Sequence, residues 1–168
     1  MRRNSRLGAV LLAAVSAVAL GTGAPAGAAG PAADQKLDGT ILVSGSTCTW
    51  TGASTSALPP GALSVDRTTV NRPGGNLSCT GGITATLDNN PVFTFDDAAG
   101  TARTDAIDIT GKQSFISCRY RASGIVWDRQ TGTRTYLNRA FTATKTSGSF
   151  LCPGSVTTPA GGASMLFR

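Results

Sequence analysis

Apolar and polar residues alternate with a period of two along much of this chain, and no segment sustains a helical period. The alternation is plainest from Leu77 to Leu87. Leu77, Cys79, Ile83, Ala85 and Leu87 fall on one side, and Ser78, Thr80, Thr84 and Thr86 on the other. That pattern predicts a half-buried strand with one wet face. Gly81-Gly82 in its middle predicts a bulge or a tight bend. Asp88-Asn89-Asn90-Pro91 turns the chain into a strand over Val92 to Phe95, and Asp97-Ala98-Ala99-Gly100 turns it again into Ala102 to Ile109.

Phe115 to Arg121 reads as the next strand, with Ile116, Cys118 and Tyr120 toward a core and Ser117, Arg119 and Arg121 toward water. Gly124 to Trp127 and Thr133 to Ala143 read as a hairpin around Arg129-Gln130-Thr131-Gly132. Arg139 shares its parity with Leu137 and Phe141, so either a bulge turns it outward or it is buried against an aspartate. Ile41 to Trp50 and Leu63 to Val70 are earlier strands, separated by a loop over Thr51 to Gly61. Ser149 to Leu151 and Ala163 to Phe167 come last, the final one paired inside a sheet. The total is about nine or ten short strands, punctuated by turn residues. It predicts an all-β fold, either an antiparallel sandwich or a small closed barrel.

The N-terminus is patterned differently. Arg2, Arg3 and Arg6 precede an uncharged run from Leu7 to Leu20, and small residues follow from Gly21 to Ala29. Residues 1–28 therefore read as a signal peptide whose apolar run is too short to span a bilayer. Arg2-Arg3 also fits the start of a twin-arginine signal, but the residues usual around such a pair are missing, so general secretion is the preferred route. Residues 29–36 read as a disordered leader and 37–168 as a single all-β domain. No later apolar run is long enough to cross a membrane.

Four cysteines, Cys48, Cys79, Cys118 and Cys152, lie behind that signal. An even count in an oxidising compartment predicts two disulfides, and four cysteines permit three pairings. A weak internal repeat bears on the choice. Cys48-Thr49-Trp50 matches Cys118-Arg119-Tyr120, 70 residues on. Cys79-Thr80-Gly81-Gly82-Ile83-Thr84 resembles Cys152-Pro153-Gly154-Ser155-Val156-Thr157, 73 residues on. If the chain is duplicated, the bridges are Cys48–Cys79 and Cys118–Cys152; sequence alone leaves the other pairings open.

Composition agrees with strands: Glu is absent and Thr, Ser, Gly and Val abound. Net charge is +6, and the three arginines of the signal account for half of it, which is too little to argue for nucleic acid. Its distribution is uneven. Asp34 to Asp108 sums to −4, and Lys112 to Lys145 to +6. Either the halves neutralise each other across one fold, or a basic face awaits an anionic partner.

Chemistry is sparse. Without His there is no Ser-His-Asp machinery, and a zinc site would need the four cysteines alone, at unsuitable spacing. Glycoside hydrolysis would need paired aspartates. Asp96-Asp97 sits at a turn, and Asp105 and Asp108 have opposite parity and so should point to opposite faces. Asp96-Asp97-Ala98-Ala99-Gly100 lacks the alternating spacing of a calcium loop. No catalytic residue, metal or cofactor is assigned. Arg119, Arg121, Arg129 and Arg134, with Trp127 and Tyr136, form the candidate binding face, a combination suited to anionic or sugar ligands. The competing reading puts the two aromatics in the core and leaves the arginines solvated.

The stretch from Ser117 to Arg168 resembles small secreted four-cysteine β proteins of GC-rich Gram-positive bacteria, a group of unassigned function. The likeness rests on Cys118-Arg119-Tyr120-Arg121-Ala122, then Gly124, Phe141, Cys152-Pro153 and a short closing strand. It covers the C-terminal third. It implies an extracellular β fold with a Cys118–Cys152 bridge and transfers no catalytic residue. The expectation is thus a secreted, non-enzymatic β-domain that binds a partner outside the cell, such as an anionic cell-wall polymer or another extracellular protein. Two alternatives accompany it: an inhibitor of an extracellular hydrolase using the Thr51 to Gly61 loop, and a β-barrel carrier of an apolar small molecule, which would show an empty apolar cavity.

Overall fold

Strand propensity and close turns yield twelve strands among the described residues, all paired antiparallel. They are β1 (Lys36–Val43), β2 (Ser46–Thr55), β3 (Leu63–Asp66), β4 (Asn76–Cys79), β5 (Thr84–Leu87), β6 (Val92–Asp96), β7 (Thr101–Gln113), β8 (Ile116–Arg129), β9 (Thr135–Asn138), β10 (Phe141–Gly148), β11 (Ser155–Thr158) and β12 (Ala163–Phe167). The structure, a computed structural model, describes residues 35–43, 45–71 and 74–168. The expected signal peptide over 1–28 and the expected leader up to residue 34 lie outside the described residues. Lys36 already belongs to β1, one residue before the domain start at 37. Among the described residues no helix is long and apolar enough to cross a membrane.

Eight strands close a ring, β1-β2-β3-β6-β7-β8-β9-β12 and back to β1. The fold is therefore a closed barrel, the second of the two architectures expected. Closure removes the exposed edges that an open sheet would leave. The other four strands extend the wall. β4 and β5 bridge from the start of β2 to the end of β7, past β3 and β6. β10 and β11 continue from the start of β8, past β9. Thr158 of β11 reaches β1 through its hydroxyl, which donates to the Leu42 carbonyl at 3.4 Å. The barrel thus has two halves sharing β1, β2, β7 and β8. The lower half adds β3, β6, β9 and β12; the upper half adds β4, β5, β10 and β11.

The same order of elements occurs twice. A long hairpin (β1–β2, β7–β8) leads to a short lower strand (β3, β9), an upper hairpin (β4–β5, β10–β11) and a lower return strand (β6, β12). The two disulfides, Cys48–Cys79 and Cys118–Cys152, occupy matching places in the two copies. The cysteine–aromatic repeat thus marks a repeat of topology.

Several strand bounds differ from expectation, each for a local reason. Ile41 to Trp50 is two strands, because the chain reverses around Gly45. Thr51 to Thr55 extends β2, so the expected Thr51 to Gly61 loop shrinks to the residues after Thr55. Leu77 to Leu87 is a hairpin with Gly81-Gly82 in its turn, the tight bend rather than the bulge. Arg67 to Thr69 forms one 3-10 turn, because the Asp66 carboxylate accepts from the Thr68 amide. Ser149 to Leu151 is turn, and β11 starts later. Ala163 to Phe167 is a strand as expected, paired with β9 and β1.

A kink crosses β7 and β8. Ala102 and Thr104 face inward below it, Ile107 and Ile109 above it. On β8 the inward set shifts from Tyr120 and Ala122 to Ile125 and Trp127, around Gly124 with its φ of 62°. This overturns the parity argument for Asp105 and Asp108: the kink between them puts both outside the barrel, Asp105 exposed and Asp108 against Arg121.

Candidate functional site

The two halves are filled differently. In the lower half Phe93, Phe95, Trp127, Tyr136 and Phe167 pack ring against ring, with centroids 5.5–6.3 Å apart and mostly edge to face. The Trp127 indole N–H donates to the Thr104 hydroxyl at 2.9 Å, which satisfies both polar groups in the core.

The upper half encloses a cavity of about 110 Å³ with almost wholly hydrocarbon walls. Ile41 and Val43 of β1, Leu77 and Leu87 of the upper hairpin, and Ile107 and Ile109 of β7 line one side. Tyr120 and Ala122 of β8, Phe141 and Ala143 of β10, and Val156 of β11 line the other. Its floor is Trp127, Phe93 and Met165, the top of the aromatic cluster. An eight-stranded barrel leaves an interior that side chains just fill, or that holds one small ligand. Here Ala122, Ala143 and Ala163 supply single methyls where larger side chains would close the space.

The cavity is not sealed. Val43, Leu87, Ile107, Ile109, Phe141 and Val156 are only half-buried although they face inward. Trp50 lies over β1, which requires glycine at position 39: a Cβ there would stand 2.1 Å from the Trp50 ring and 2.6 Å from the Ser164 carbonyl oxygen. The Tyr120 hydroxyl donates to the Pro153 carbonyl at 3.1 Å, fixing the ring against the β10–β11 loop. Burial raises its pKa above the usual phenol value, so the hydroxyl keeps its proton. Lys145, register partner of Tyr120, extends its ammonium to the carbonyls of Cys152 and Ser149, at 3.3 and 3.5 Å.

The expected binding face is divided by the barrel wall. Trp127 and Tyr136 are 2% and 3% exposed and belong to the aromatic core. The arginines lie outside, so the six residues do not form one face: the inward parity of β8 and β9 takes the two aromatics away from them. Arg119 pairs with Asp88 at 3.3 Å, Arg121 with Asp108 at 2.9 Å, and Arg129 with Asp97. Arg134 is exposed in the β8–β9 turn. The acidic and basic halves of the sequence neutralise each other across the fold. Arg139 falls in the break between β9 and β10, turns outward and grips Asp128 with two hydrogen bonds of 2.8 and 2.9 Å. That contact lowers the Asp128 pKa and raises that of Arg139.

The aspartates weighed for chemistry serve local structure. Asp96 accepts from the Ala99 amide and Asp97 is paired with Arg129. Among the described residues no group of three or more His, Cys, Asp or Glu gathers as a metal site would. Sequence reasoning treated the cavity walls simply as core. The available signal was the alternation of Ile107 with Ile109 opposite Tyr120 and Ala122, which gives the facing but not the space left between. No protein-family model, no curated protein and no solved structure matches this chain.

Proposed function

We propose that this protein is a secreted, non-enzymatic β-barrel that takes up a small apolar molecule in the hollow upper half of its interior. The observation that carries the reading is the cavity, apolar-walled and not sealed, above a packed aromatic floor. An apolar cavity of roughly 150 Å³ in another protein stays dry and binds benzene. A space of about 110 Å³ suits a slim hydrocarbon group of that order. The export signal and the two disulfides support release to an oxidising compartment. The arginines give less support to an anionic-polymer face, because most of them are neutralised by aspartates.

The test is titration with a neutral naphthylamine dye that fluoresces in apolar surroundings. The chain should bind it with one site. Ala143→Phe, which fills the cavity from β10, should weaken binding about tenfold or more while the fold persists. A chain that leaves the dye dark, or an Ala143→Phe variant that binds as well as the parent, would refute the reading.

A further inference from the structure

Three large apolar side chains stand in water at the upper end of the barrel. Phe115, at the tip of the β7–β8 hairpin, is 88% exposed. Phe150 and Leu151, in the β10–β11 loop, are 90% and 53% exposed. The two tips are held side by side. The Ser149 amide donates to the Ser117 carbonyl at 2.9 Å, and the Cys118–Cys152 bridge ties the strand of one tip to the loop of the other. The patch is therefore presented by a fixed scaffold.

The segments that carry it hold cations and no carboxylates. No carboxylate occurs in residues 111–127 or 141–158, which build this end, nor in the upper hairpin 76–87. Lys112 stands exposed at the base of the Phe115 hairpin, and the half-buried Lys145 lies under the Phe150 loop, its ammonium donating to the Ser149 and Cys152 carbonyls. Arg119 and Arg121 of β8 lie nearby, each already paired with an aspartate, Asp88 and Asp108. Among the described residues the lower end has no comparable patch: Asp96 ends β6, Asp97 lies in the turn after it, and Asp128 stands near the end of β8.

Exposed rings at loop tips, backed by lysines and free of carboxylates, match the chemistry of a lipid interface. The rings enter the boundary between headgroups and acyl chains, and the cations meet anionic headgroups. We propose that the upper end docks on an anionic lipid surface through Phe115, Phe150 and Leu151, with Lys112 and Lys145 facing the headgroups. The inference goes beyond the cavity reading and does not depend on it.

Flotation with vesicles tests it. The secreted form, residues 29–168, without added ligand, should rise with vesicles of phosphatidylcholine and phosphatidylglycerol in equal parts. It should rise far less with phosphatidylcholine alone or at high salt. The double variant Phe115→Ser/Phe150→Ser alters only exposed positions, so it should melt like the parent and lose vesicle binding about tenfold or more. Lys112→Gln should lose several-fold. Three results would overturn the proposal: a parent chain that stays at the bottom of the gradient, a double variant that floats undiminished, or a lipid-indifferent dimer that the double variant dissolves. The last would make the patch a contact between copies of this chain. A naphthylamine result in either direction leaves these outcomes unchanged.

Discussion

The lower and upper halves of this barrel share four long strands but are held together by different means. Below, five aromatic rings interlock and fill the interior. Above, aliphatic and alanine side chains leave a space of about 110 Å³, and both disulfides lie in this half. Cys48 and Cys79 are register partners that pin β4 to β2, and Cys118–Cys152 pins the β10–β11 loop to β8. The comparison teaches a division of labour. Burial holds the end that is packed, and covalent staples hold the end that is hollow. Each bridge closes a loop of 31 or 34 residues, worth about 3–4 kcal/mol in the chain-entropy account. A cavity for a ligand can then exist without the stability that filling it would bring.

Breaking the packed half should have the largest effect. Deleting Met165 to Arg168 removes two buried core residues and most of the strand that joins β9 to β1. The truncated chain should lose its cooperative urea transition, because roughly 5–10 kcal/mol of core burial goes with it. A transition like that of the full chain would refute the packed-half account. Next in size, Phe167→Ala should cost about 3–5 kcal/mol by urea denaturation. The matching change above, Ile109→Ala, enlarges an existing half-exposed cavity and should cost about 1–2 kcal/mol. Equal costs at the two sites would erase the comparison.

The staples come between these extremes. Cys48→Ser/Cys79→Ser should cost about 2–4 kcal/mol, and it should loosen the upper half first. Hydrogen exchange would then speed up in β4 and β5 while β9 and β12 stay protected. The smallest effect is at Asp128 and Arg139, a pair on the surface. The Asp128 pKa is lowered in the folded chain by the Arg139 hydrogen bonds. Its contribution is therefore present above the ordinary carboxylate range near about pH 4 and is lost as pH falls through the lowered folded value. The small difference in melting temperature between the parent and Arg139→Gln at neutral pH should vanish by about pH 2.

Much of this fold could be read from short-range pattern. Leu77 to Leu87, Val92 to Phe95 and Ala163 to Phe167 alternate or end on turn residues whose physics is local. The cysteine–aromatic repeat pointed to the disulfide pairing the structure has. Two things escaped. Ile41 to Trp50 looks continuous because only two residues separate the end of β1 from the start of β2. The kink at Gly124 shifts parity in two strands together, so any argument that carries alternation across it reverses. The cavity was less legible still. Its volume is set by what inward side chains from many different strands fail to fill, and a single strand's alternation holds no information about that remainder. Trp127 and Tyr136 illustrate the same limit. Their proximity in sequence to four arginines said nothing about which side of the wall they take.

Crystals pressurised with xenon would test the difference between the halves most directly, since xenon enters dry apolar space and not packed rings. The account predicts xenon density among Ile109, Tyr120 and Phe141 and none among Phe95, Tyr136 and Phe167. Ordered water filling the upper space, or side chains collapsed across it with no xenon bound, would contradict it.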